Sequence, residues 1–167
     1  CQYSSILCHA YGLPEELCKK IFVYASLHDI GKVGIPDKIL KKPGKLTPEE
    51  FNSIKSHPRI GYEIINNNAI SDVAKNIVLS HHEKFNGEGY PQALSGNKIP
   101  LEARIVAIAD VYDALRAERT YKRAFSHKES EEIINESSGS HFDPELIDLF
   151  KEHTETFSSI HQQFSDG

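Results

Sequence analysis

The chain has 167 residues, a formal charge of -5 and 26% charged side chains, so it can build one self-sufficient core and lacks the basic excess that DNA and RNA polymers select. No apolar run approaches the roughly 20 residues needed to span a bilayer and no signal-type segment opens the chain, which predicts a cytoplasmic domain without membrane contact. Cys1, Cys8 and Cys18 are odd in number and lack CxxC spacing, so neither a disulfide frame nor a cysteine zinc site is expected.

Pro14 with Glu15 and Glu16 marks a helix start, and Leu17, Ile21, Tyr24 and His28 recur on one face, so this helix delivers His28-Asp29 inward. Gly31, Gly34 and Pro36 stop it. After a loop with Pro43-Gly44, Thr47 and Glu50 form a capping box for a helix to about Ser56, and Pro58 opens another through Ile65 with His57 at the joint. Ser71-Asp72 caps a helix ending at His81-His82, and an irregular stretch runs from Glu83 to Pro100. The segment 101–118 places Leu101, Ile105, Ile108, Val111, Tyr112 and Leu115 on a stripe, with Asp110 near the core. Ser126 opens a further helix, and Asp143-Pro144 starts a last one ending near Phe164. Without alternating strand patterns or an internal repeat, the fold class is all-α.

The polar residues aimed inward are His28, Asp29, His57, His81, His82 and Asp110. Imidazole with carboxylate is a transition-metal shell, and six such groups suit two ions sharing a bridging carboxylate, for which Asp29 is placed. Each has a plainer reading in isolation. His57 before a proline can be a helix-entry residue, and His81-His82 can complement a helix dipole. Asp110 is harder to dismiss, since an unpaired buried carboxylate is costly.

The ordered set "HDIGK" at 28–32, "HP" at 57–58, "HHEKFNGEGYP" at 81–91 and "ARIVAIADVYDAL" at 103–115, continued by "KPGKLTPEE" and "HFDP", resembles the HD-GYP domains, a branch of the HD metal-dependent phosphohydrolases. The resemblance covers nearly the whole of residues 1–167. It implies an HD-type helical bundle with a loop carrying the signature Gly89-Tyr90-Pro91, cut from a longer protein with an upstream regulatory domain. The implied activity is hydrolysis of cyclic di-GMP to linear pGpG, and onward to GMP.

In the same resemblance, His28, Asp29 and Asp110 hold one ion, and His57, His81, His82 with Asp29 hold the second. Iron or manganese are favoured, while the donor types also accept zinc, cobalt or nickel. Lys32 matches the lysine that touches the scissile phosphate, and Arg119 and Lys122 match positions that bind the ligand. Two ions about 3.5 to 4 Å apart supply a bridging hydroxide and charge relief on the phosphoryl oxygens. Asp29 and Lys32 are thus the catalytic pair. Tyr90 either offers a ring to a base or pins the loop, Asp113 faces the cavity of Asp110, and the loop is implied to contact diguanylate cyclase domains. Lys38, Lys41 and Lys42 read as solvated surface, and His141 and Asp143 as caps of the last helix.

Three departures from the family stand out. A histidine and a glutamate on a preceding helix would fall before Cys1, Ala93 stands where glycine is common, and Thr120 where proline is common. The rival readings are a messenger-binding sensor domain without turnover and an HD phosphohydrolase for another nucleotide.

Overall fold

Proline and small-residue punctuation sets most helix boundaries. In the computed structural model, which describes residues 2–67, 69–119 and 122–165, α1 (Gln2–Tyr11) turns through Gly12, at φ 86°, into α2 (Glu15–Tyr24). A 3₁₀ turn over Ala25–Leu27 and another over Ile30–Gly34 lead to the short α3 (Asp37–Leu40). There follow α4 (Pro48–Ile54), α5 (His57–Ile65), α6 (Asp72–Ser80), α7 (Leu101–Arg116), α8 (His127–Glu136) and α9 (Pro144–Ser165). No strand forms among the described residues, only isolated bridges such as Asn86 with Ser95. The all-α expectation holds, and none of these helices is long and apolar enough to cross a membrane.

The caps read from sequence at Thr47, Ser71, Ser126 and Asp143 are present. Glu50 N–H donates to Thr47 Oγ1 at 3.2 Å while Thr47 N–H donates to the Glu50 carboxylate at 2.8 Å. Ser126 and Glu129 repeat that box, Ser71 accepts from Val73 N–H, and Asp143 accepts from Glu145 N–H at the head of α9. Asp143 also pairs with Arg104 at 2.7 Å, which ties α9 to α7. Of the departures, Thr120 lies outside the described residues.

Two expectations need correction. The helix predicted to carry His28 stops at Tyr24, because Ser26 Oγ donates to the Val23 carbonyl and His28 Nδ1 donates to the Ala25 carbonyl. Those side-chain bonds favour a tighter turn over continued α-helix. The cysteine expectation is also overturned, since Cys8 and Cys18 form a disulfide with Cα atoms 5.6 Å apart. Spacing alone hid it. The reversal at Gly12 lays α1 against α2 and brings together residues ten positions apart.

At the centre is α7, whose residues Ile105 to Ala109 are all buried, as in a helix enclosed on most of its surface. Tyr112 from this helix meets Tyr3 of α1 and Phe157 of α9 with ring centroids 4.9 and 5.1 Å apart. Its hydroxyl lies 2.9 Å from His127 Nδ1, and His127 Nε2 lies 3.1 Å from Thr154 Oγ1, so one partly buried polar relay joins α7, α8 and α9. This anchored helix carries Asp110 on its other side.

Candidate metal centre

Three backbone events deliver the polar cluster: the turn after α2, the start of α5 and the end of α6. The first two are pressed together at glycine. A Cβ on Gly31 would run into the His57 carbonyl and the Gly61 amide, and one on Gly61 would meet Val78 Cγ1 at 2.7 Å. Only bare backbone lets the turn carrying His28-Asp29 lie against the head of α5. Asp29 itself sits in the sparsely allowed bridge region, φ -99° and ψ 12°, between two 3₁₀ turns.

The side chains converge on Asp29. His28 Nε2 lies 3.3 Å from Asp29 Oδ2 and 3.2 Å from Asp110 Oδ1. On the other oxygen, His57 Nε2 is 3.2 Å and His81 Nε2 3.7 Å from Oδ1. Asp29, His57, His81 and His82 each offer one donor atom, and these four atoms lie within 4.8 Å of one another. The centre therefore has two lobes, His28 with Asp110 and the three other imidazoles, which meet at one carboxylate.

Tautomer decides what these rings can do. Nδ1 of His28, His57 and His81 points at the carbonyls of Ala25, Ile54 and Ile77 at 2.6, 2.7 and 3.0 Å. A carbonyl only accepts, so each Nδ1 carries a proton, and in the neutral ring each Nε2 presents a lone pair inward. For His57 and His81 that inward nitrogen is buried and makes no hydrogen bond, although both are close to Asp29. A buried unsatisfied nitrogen is costly and needs an explanation. A divalent cation among these lone pairs and the Asp29 carboxylate supplies it, so the residues fit a metal.

The electrostatics agree. Burial would raise the Asp29 carboxyl, but His28, His57, His81 and Lys32 outweigh it and hold the group well below the usual carboxylate range. Burial likewise raises the Asp110 carboxyl, but the hydrogen bond from His28 outweighs it and holds the group below its ordinary value. His82 is pushed down to about 3 by burial and by the neighbouring His81 and His57, which keeps it neutral, the form a metal ligand needs. His28 goes the other way. Burial depresses it, but its two carboxylate partners raise it to about 10, as expected where a ring stands in for a cation between two carboxylates.

The loop after His82 is built as a brace. Glu83, which sequence reasoning did not single out, is 2% exposed and accepts from Gln92 N–H at 2.7 Å and Leu94 N–H at 2.9 Å. The signal was a carboxylate directly after the histidine pair and before a glycine-rich loop. Gly89 lies against the Glu83 and Lys84 backbone, where a Cβ would clash. Tyr90 N–H donates to the His82 carbonyl, and its ring stacks on His82 at 4.9 Å and 19°. The Tyr90-Pro91 bond is cis, and Ala93 adopts φ 53°, a left-handed conformation that costs a non-glycine residue about 1–2 kcal/mol. Glu83→Ala should strand two amides and lower stability by about 2–3 kcal/mol, measurable as a reduced thermal midpoint, with weaker metal retention through loss of His82 support.

The remaining candidates flank the cluster. Lys32 Nζ lies 2.8 Å from Asp29 Oδ2. Asp113 is exposed and shares a cavity of about 90 Å³ with His28 and Asp110. Arg119 and Lys122 share one of about 170 Å³ with Asp110. His141 does not cap α9. It is partly buried against Phe142, and burial with the nearby Lys84 lowers it to about 4. Chemically, the cluster can hold divalent ions beside a lysine and two further cations, a setting for an anionic ester.

Residues 2–146 match the HD domain family. A Vibrio cholerae protein named cyclic di-GMP phosphodiesterase is 47% identical over 99% of this chain and 34% of its own length. A 3'3'-cGAMP-specific phosphodiesterase 2 of the same organism is 43% identical over 98% of the chain and 32% of its own length. The chain thus spans about a third of these curated relatives. Among solved structures, a cyclic GMP-AMP specific phosphodiesterase of Vibrio cholerae superposes with TM-score 0.68 at 19% identity, over 92% of this chain and 42% of that one.

Proposed function

The chain belongs to the HD domain family, and on that premise we propose that residues 1–167 form one catalytic domain that hydrolyses cyclic di-GMP to linear pGpG with two divalent ions. The observation that carries this reading is the pair of buried, unbonded Nε2 atoms on His57 and His81, locked as lone-pair donors around Asp29. Names of relatives at 43–47% identity support a cyclic dinucleotide as the substrate class.

In this reading His28, Asp29 and Asp110 hold one ion, and His57, His81 and His82 hold the other with Asp29 between them. When bound, the ions supply a nucleophile at neutral pH and charge relief on the phosphoryl oxygens, with iron or manganese favoured. Lys32 exchanges its contact with Asp29 for a non-bridging oxygen of the scissile phosphate, which places a positive charge where negative charge grows. Arg119 and Lys122 approach the substrate from the C-terminal end of α7. Tyr90 holds the His82 ring by stacking, and Asp113 borders the cavity beside His28. The contact with diguanylate cyclase domains implied by the resemblance is no part of this reading.

Protein loaded with Fe(II) or Mn(II) should convert cyclic di-GMP to pGpG, read by chromatography, and chelation should abolish the conversion. Faster turnover of 3'3'-cGAMP would move the assignment to that substrate. Tight binding of cyclic di-GMP without product by the loaded protein would replace the enzyme with a sensor.

A further inference from the structure

A cyclic dinucleotide carries two phosphodiesters, and the metal cluster with Lys32 accounts for one. Resting on the function proposed above, we infer that Lys45, on the loop before α4, joins Arg119 and Lys122 in holding the second phosphate.

Three observations carry the inference. A groove of about 970 Å³ is lined on one side by Leu40, Lys41, Lys42, Gly44 and Lys45 and on the other by Glu118, Arg119 and Lys122. That volume is at the upper end of the roughly 300–1,000 Å³ usual for small-molecule sites. Arg119 and Lys122 also line the cavity that contains Asp110, so one pair of cations borders both the metal cluster and the groove. An anion bound near Asp110 therefore has a cationic path toward the lysine loop.

The lysines of that loop are not equivalent. Lys41 is paired with Asp37 at 2.8 Å and Lys42 with Glu50 at 2.6 Å, so both are occupied by carboxylates. Lys45 has no ion-pair or hydrogen-bond partner for its ammonium among the described residues, and neither has the Arg119 guanidinium. Among the described residues the Lys122 ammonium only lies over the Phe125 ring, 4.6 Å from its centroid. The turn that presents Lys45 depends on Gly44, at φ 101°, where another residue would be strained. Glu118 is the one carboxylate among the described lining residues. Three cations set against one carboxylate favour a phosphate over a neutral base.

The test compares cyclic di-GMP with bis(p-nitrophenyl) phosphate, a diester with a single phosphate, on metal-loaded protein. Lys45→Ala should lower the ratio of kcat/KM for cyclic di-GMP to that for bis(p-nitrophenyl) phosphate about tenfold, mainly through KM, and Lys45→Arg should restore it. An unchanged ratio, from equal losses on both substrates or from none, overturns the Lys45 assignment while the phosphodiesterase reading stands. Wild-type protein that cleaves bis(p-nitrophenyl) phosphate but not cyclic di-GMP overturns both.

Discussion

Asp29→Ala should empty both metal positions and reduce turnover of cyclic di-GMP on the order of 10³-fold or more, since one carboxylate serves both lobes of the centre. His28, His57, His81 and Lys32 all approach its two oxygens, at distances from 2.8 to 3.7 Å. Loss of any single imidazole leaves the opposite lobe with its remaining donors, whereas loss of Asp29 removes the element common to both. Elemental analysis of purified protein measures the first effect and product formation the second. Asp29→Asn separates ligation from folding, because the amide keeps the size of the side chain without its charge. Circular dichroism should then be unchanged while metal content falls. A fully active Asp29→Ala protein would remove the bridging role and, with it, the two-lobe description.

The second large effect is steric and lies outside the ligand set. Gly31→Ala places a methyl group against the His57 carbonyl and the Gly61 amide, both backbone atoms that cannot rotate away. The turn and α5 must separate, which should cost about 3 kcal/mol in stability. At about 2–4 °C per kcal/mol for a domain of this size, the thermal midpoint should drop by about 6–12 °C. Because the same movement pulls His57 from Asp29, metal content should fall even below the unfolding transition. A variant that melts like wild type and retains both ions would mean that α5 slides without loss, and that the glycine contact is not what aligns the lobes.

Five of the six proposed ligands were legible in the sequence because they stand beside local stop signals, and Asp110 was legible as a carboxylate near the core on the helical segment 101–118. His28-Asp29 precede Gly31, His57 precedes Pro58, and His81-His82 precede the glycine-rich loop. Capping boxes at Thr47 and Ser126 were legible for the same reason, since they are closed within four residues. What escaped depends on residues brought together by packing. Glu83 reaches amides nine and eleven positions ahead, partners that its place between the histidine pair and the glycine-rich loop does not by itself specify. The Cys8–Cys18 pair requires α1 to lie on α2, and the role of Gly31 appears only when Gly61 is opposite it. The break after Tyr24 is an intermediate case. Its causes, Ser26 and His28, are local, but hydrophobic periodicity through Leu17, Ile21 and Tyr24 masks them.

Each of His28, His57 and His81 takes its bearing from a carbonyl in its own preceding turn rather than from a neighbouring ligand. Orientation is thereby independent from one donor to the next, and a lineage can exchange a single donor without realigning the rest. A scaffold of this kind can drift among ions of differing hardness through single substitutions while its frame stays constant.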